Sequence, residues 1–218
     1  MHHLVEPITN RTIPEAIDLL REAHDFLVGS ALAAIAELVQ APIHRWGIQA
    51  KRSNVRLGSN RPQLVAKANE RFAELLNIVA TLERLVDALQ WFGDKPRFSD
   101  LSVLECHPST SHSKGGNNLV LCDASGTARV RCEVSDVVSM SAHQNNKERL
   151  DLAVLGLAGA PPNDGVSRFL VTSSEFAHAL AHPRRAWHRM PYRYVSHLAD
   201  LDHATMLLEI VPAPLPPA

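Results

Sequence analysis

The stretch Gly115–Leu155, GGNNLVLCDASGTARVRCEVSDVVSMSAHQNNKERLDLAVL, changes texture several times. Leu119 to Cys122 is a short apolar run. Ala124-Ser125-Gly126-Thr127 is a turn signal, because glycine and serine tolerate tight backbone geometry. From Ala128 to Asp136 the residues alternate, with Arg129 and Arg131 set against Val130 and Cys132, which is the period of a strand. Two strands joined by a turn predict a hairpin. Asn145 or Asn146 can then cap a helix from Lys147 to Leu157. The stretch also holds a dense set of polar groups that could meet: Asn118, Asp123, Glu133, Ser135, Asp136 and Lys147.

Upstream, LSVLECHP (Leu101 to Pro108) reads as a strand entering a loop. Downstream, Ser167 to Thr172 reads as a strand. Ser173 or Ser174 can cap a short helix from Glu175 to Ala181, which Pro183 ends. ATMLLEIV (Ala204 to Val211) is a last apolar strand. Strand, strand, strand, helix, strand, helix, strand is an α/β (α+β) order, with an antiparallel hairpin first and a crossover helix after it.

The N-terminal part is helical in pattern. Asn10 or Thr12 can cap a helix entered through Pro14 and Glu15. Ile17, Leu20, Leu27, Ala31, Ile35 and Leu38 recur at helical spacing. Gly29-Ser30 could bend this helix, and Pro42 ends it. Pro62 is expected to start a second long helix, with an apolar stripe from Leu64 to Leu89, stopped by Gly93-Asp94-Lys95-Pro96. The two helices are expected to pack as an antiparallel pair. The division is then an N-terminal helical region over 1–96, an α/β core of mixed sheet flanked by helices over 97–211, and a Pro-rich tail over 212–218.

The chain has 218 residues, 45% of them hydrophobic, and a net charge of -1. That composition fits a globular protein with no global electrostatic field, so any nucleic-acid site must come from local clustering. Cys106, Cys122 and Cys132 cannot all pair with one another and form no CxxC motif, which reads as a cytoplasmic, reduced protein. The beginning of the chain lacks a signal-peptide pattern, and the Ala/Leu-rich stretch from Phe26 to Val39 is too short to span a membrane.

The order of elements after residue 97 resembles the core of the PD-(D/E)XK nuclease superfamily, the restriction-endonuclease-like fold. In that family an acidic residue near the start of the second strand and a Glu-x-Lys on the third converge on one or two divalent ions. Gly116-Asn117-Asn118-Leu-Val-Leu looks like the family's Asn-Asp-hydrophobic strand, with Asn118 where the aspartate would stand. Glu133-Val134-Ser135 looks like Glu-x-Lys, with Ser135 where the lysine would stand. The resemblance implies Mg²⁺ or Mn²⁺ held by Glu133, with Asn118 or Asp123 as its partner and Glu105 as a second carboxylate. It implies catalysis by Glu133, Ser135 and Lys147, in which Lys147 takes over the charge that Ser135 lacks. Two readings follow from it. One is a metal-dependent DNA endonuclease. The other is a nuclease-fold protein that has lost catalysis and acts as a DNA-binding or assembly module. Without the resemblance, the same residues read as a hairpin whose Glu133 and Asp136 pair with Arg129, Arg131 or Lys147.

Two basic segments could contact DNA. Between Glu37 and Glu70 there is no acidic residue, and Lys51 and Arg52 lie there beside Trp46, which could stack or pack. Between Glu175 and Asp200 there is again none, and Arg184, Arg185, Arg189 and Arg193 alternate with Trp187, Tyr192 and Tyr194. The long N-terminal helices are the expected surface for a homodimer. Glu105, Cys106, His107 and His112 invite a zinc reading, but their spacing matches no standard ligand pattern.

Overall fold

The computed structural model describes residues 4–46, 54–108, 117–135, 154–155, 164–174, 177, 192–197 and 205–212. Helix α1 spans Ile13–Gln40. Thr12 caps it in a reciprocal capping box: its hydroxyl accepts from the Glu15 amide, and the Glu15 carboxylate accepts from the Thr12 amide at 3.0 Å. The Gly29-Ser30 pair does not break the helix; the Ser30 hydroxyl donates to the Phe26 carbonyl instead. Helix α2 spans Phe72–Asp94. The two pack antiparallel, since Ile13 at the start of α1 lies against Gly93 at the end of α2.

The second helix starts later than the apolar spacing predicts. Leu64 and Val65 are both buried, but outside any helix. Val65 forms an antiparallel bridge with Val5, the Glu6 amide donates to the Leu64 carbonyl, and the Ala66 amide donates to the Leu4 carbonyl. The segment after Pro62 is therefore extended. It leads into a strand that pairs with another from the basic stretch: β2 (Asn54–Arg56) and β3 (Asn69–Arg71) form a separate two-stranded sheet.

Among the described residues the main sheet has seven strands: β1 (Ile8–Thr12), β4 (Ser102–Cys106), β5 (Leu119–Cys122), β6 (Ala128–Ser135), β7 (Ser167–Ser173), β8 (Tyr192–Ser196) and β9 (Thr205–Pro212). Their order is β1-β4-β5-β6-β7-β9-β8. The β6–β7 pair is parallel and the other pairs are antiparallel. A parallel pair needs a crossover, and the 31 residues between Ser135 and Ser167 supply its length. The expected helix from Lys147 to Leu157 lies mostly outside the described residues. The fold is thus the expected mixed α/β class. Sequence reading missed β1, β2, β3 and β8, each only three to five residues long.

The helices cover one face of the sheet. Val103, Cys106, Leu119, Leu121, Val130, Cys132, Val134, Phe169, Val171 and Leu207 join the buried residues of α1 and α2 in one cluster. Phe92, Phe98, Phe169 and Trp91 meet edge-on at its centre, with Phe92 and Phe169 rings 5.1 Å apart. Because β1 belongs to this sheet and the helices share its core, the boundary at residues 96 and 97 separates two stretches of sequence but not two cores. Among the described residues, no helix is long and apolar enough to cross a membrane. All three cysteines are free and buried, and burial alone pushes the Cys106 thiol up to about 12.

Candidate functional site

The face of the sheet turned away from the helices carries the residues expected to hold a metal. Strand register fixes which of them are neighbours. Glu105 faces Val120, Val120 faces Arg131, and Arg131 lies beside Arg168, forming one row across four strands. Leu119 faces Cys132, so Asn118, one residue further back, falls beside Glu133 in the next row. Glu105, Asn118 and Glu133 therefore lie on one face at one end of the β4–β5–β6 meander. Ser135 follows on β6, fully buried, with its carbonyl accepting from the Thr172 hydroxyl at 2.6 Å.

Asn118 has a specific local job. Its backbone carbonyl accepts from the His107 amide at 2.8 Å, and its side-chain Nδ2 donates back to the His107 carbonyl at 3.0 Å. Its Oδ1 accepts from the Val134 amide at 2.8 Å. Regular β5 has not yet begun at this point, so the side-chain amide supplies both a donor and an acceptor where a strand backbone would. It stitches β5 to β4 on one side and to β6 on the other. The donor and acceptor roles are fixed by their partners, so the amide cannot be turned round. Asn118 is 5% exposed.

Glu105 has a neighbour of its own: its carboxylate lies 3.0 Å from His107 Nε2, and both side chains are well exposed. Glu133 is half-buried in the middle of β6. Next to Asn118, Asn117 is 5% exposed and its Oδ1 has no hydrogen-bond partner among the described residues; the same holds for Arg131 Nε.

Asp123 is not brought to Glu133. It stands at the far end of β5, four residues beyond Leu119, which at about 3.3 Å per residue is roughly 13 Å away along the strand. Its carboxylate organises the hairpin turn. Oδ1 accepts from the amides of Ser125 and Thr127 and from the Ser125 hydroxyl, and Oδ2 accepts from Arg129 Nε at 2.7 Å. Gly126, at φ +78°, closes the turn in a conformation that favours glycine. The Ser125 hydroxyl first, then Arg129, hold the Asp123 carboxyl far below the usual carboxylate range.

Magnesium asks for several oxygen ligands in near-octahedral array, carboxylates among them. Of the expected donors, Asn118 has both amide ends tied into the sheet, Asp123 is at the other end of the strand, and Glu105 is held by His107. Among the described residues no three His, Cys, Asp or Glu side chains converge as a metal-holding group. Of the expected carboxylates, Glu105 and Glu133 are the two that share a face. For the zinc reading, Glu105, Cys106 and His107 likewise form no metal-holding group among the described residues. Lys147, His112, Lys51, Arg52, Arg184, Arg185, Trp187 and Arg189 lie outside the described residues. Arg193 is exposed on β8, which pairs with β9. Trp46, expected to stack or pack, donates its indole N–H to the Ala41 carbonyl at the end of α1.

A polar cluster that sequence reading missed lies on the helix-covered face, across β7 and β9. Glu209 Oε2 is 2.6 Å from His197 Nε2, Glu209 Oε1 is 3.2 Å from Arg97 Nη1, and Arg97 Nη2 donates to the Ser167 hydroxyl at 2.5 Å. The His197 ring packs on Trp91, with ring centres 5.2 Å apart. A hint was present in the sequence: Glu209 is the one charged residue inside ATMLLEIV. Its partners, more than 100 and 12 residues away, carried no local signal. Comparison with protein families, curated proteins and solved structures finds no match for this chain.

Proposed function

We propose that this chain is a restriction-endonuclease-like protein that binds DNA without cutting it. The observation that carries the proposal is the state of Asn118. At the position where the resemblance expects a metal-binding aspartate, both ends of the side-chain amide are committed to the sheet. An aspartate there would set a carboxylate against the His107 carbonyl and lose the donor. The residue thus serves strand pairing. The antiparallel β4–β5–β6 meander followed by parallel β7 supports the nuclease-like scaffold, and the arginine-rich stretches support DNA as the partner.

One observation favours the hydrolytic reading instead: Glu105 and Glu133 share a face on strands separated only by β5. A single experiment separates the two. Purified protein is incubated with supercoiled plasmid and Mg²⁺ or Mn²⁺, and its binding to duplex DNA is measured in parallel at several salt concentrations. The expected result is intact plasmid together with salt-dependent binding, since phosphate contacts release counterions. Metal-dependent cleavage that Glu133→Ala abolishes would overturn the proposal.

A further inference from the structure

The small β2–β3 sheet has no assigned role, and its composition is unusual. It is formed partly from the stretch between Glu37 and Glu70, which contains Arg45, Lys51, Arg52, Arg56, Arg61 and Lys67 and no acidic residue. In the ribbon Asn54 faces Arg71 and Arg56 faces Asn69. Strand alternation turns Val55 inward, where it is 6% exposed, and leaves Asn54, Arg56, Asn69 and Arg71 together on the outward face, all exposed. None of these four side chains makes a hydrogen bond or ion pair among the described residues. The ribbon's one acid, Glu70, lies on the inward side with Val55 and is held by Lys67 Nζ at 3.2 Å. The outward face thus presents two guanidinium groups and two amides without partners among the described residues, beside a groove that Asn54 and Arg56 share with Asp25 and Glu37 of α1.

We infer that the β2–β3 ribbon enters the major groove of duplex DNA, with Arg56 and Arg71 reading base edges and Asn54 and Asn69 flanking them. The dimensions agree. A major groove about 12 Å wide admits a two-stranded ribbon, whose strands lie about 4.8 Å apart. Arg56 and Arg71 occupy diagonal corners, roughly 7–8 Å apart at Cβ, which spans about two base steps of 3.4 Å. Arginine pairs with both acceptors of guanine, and asparagine with the donor and acceptor of adenine, so the four side chains are the types that read sequence. An acidic peptide would satisfy the arginines but leave the asparagines without a purpose. A-form RNA has a major groove too narrow for a ribbon.

The inference rests on the DNA-binding reading above, and the experiment separates them. A preferred duplex is selected from a random pool with the full chain, and its affinity is measured by fluorescence anisotropy. Each of Arg56→Ala and Arg71→Ala is expected to weaken binding to that duplex about tenfold, as loss of a bidentate base contact does. The double variant Arg56→Lys/Arg71→Lys keeps its charge, so it is expected to keep the salt dependence and lose the sequence preference. All of these positions are exposed, so the melting temperature serves as a check that the fold persists. If the wild-type chain binds duplex DNA and the alanine variants bind equally well, the ribbon inference falls and the DNA reading stands. If the wild-type chain binds no duplex DNA, the DNA reading fails and the ribbon inference fails with it. If duplex RNA or polyglutamate competes as well as the selected duplex, the groove assignment is wrong and the ribbon serves that other partner.

Discussion

The two faces of the seven-stranded sheet are built on different terms. The face under the helices is mainly apolar from Val103 on β4 to Leu207 on β9, with Thr205 bonded to Asp87 and Glu209 to His197 at its β9 side, and its largest fully buried groups are the rings of Phe92 and Phe169. The opposite face mixes apolar and polar groups at the same level of burial: Val120, Leu170 and Leu208 beside Arg168, Ser135 and Thr172. The first face is held mainly by area removed from water. The second depends on individual hydrogen bonds. Arg168 is 6% exposed, and its guanidinium donates to the Leu155 and Val166 carbonyls and to both oxygens of Asp164. Proteins tolerate such buried polar groups only when every partner is present. The comparison teaches that the first face sets stability through packing, while the second answers to the loss of single hydrogen bonds.

The largest effect should come from the apolar face. Phe169→Ala removes a fully buried ring that touches Trp91, Phe92 and Phe98, and is expected to cost about 3–5 kcal/mol in urea unfolding. A loss well under 1 kcal/mol would mean that the two faces are not distinguished by packing. On the polar face, Arg168→Ala should cost about 2–3 kcal/mol, because the Leu155 and Val166 carbonyls lose a charged donor. Asn118→Ala should cost about 1–3 kcal/mol, since it strands the Val134 amide and the His107 carbonyl. Asn118→Asp keeps an acceptor for Val134 and loses the donor, so it should be destabilising as well; a neutral or stabilising result would weaken the stitching role given to this amide.

The smallest effect is a pH dependence carried by Asp164 and Asp123. Hydrogen bonds from Arg168 hold the Asp164 carboxyl down at about 2, and those from Ser125 and Arg129 hold Asp123 far below its usual range. A carboxyl whose folded value is lowered contributes stability above its unfolded value, near 4, and that contribution is lost as the pH falls through the folded value. Urea midpoints should therefore fall between pH 4 and about 2, and Arg168→Ala should flatten the Asp164 share of that fall. Equal slopes in both proteins would show that the Asp164–Arg168 pair is not the source.

Much of the scaffold was legible because its signals are local. The capping box needs only Thr12 and Glu15, and the hairpin turn needs only Asp123 to Thr127. The alternation in β6 and the apolar run of β5 likewise sit within a few consecutive residues. The misreading after Pro62 arose where Leu64, Ala68 and Phe72 happen to fall at helical spacing, while the true partners of that segment are Leu4 to Glu6, some 60 residues away. The candidate site was half legible. The family resemblance picked out Glu105, Asn118, Asp123 and Glu133, but only strand register shows that Asp123 belongs to a turn and the other three share a face.

By itself, then, the sequence determined the class of fold, the two long helices, the central hairpin and the basic character of the stretch between Glu37 and Glu70. These depend on residue periodicity and turn chemistry, which act over a few residues. Tertiary structure decided what the polar residues do. Pairing across strands made Asn118 a stitch between β4 and β6, joined Arg97, His197 and Glu209, and placed Arg56 and Arg71 at opposite corners of one exposed ribbon. A polar side chain's role is set by the donors and acceptors that folding brings within about 3 Å of it, and those come from distant parts of the chain.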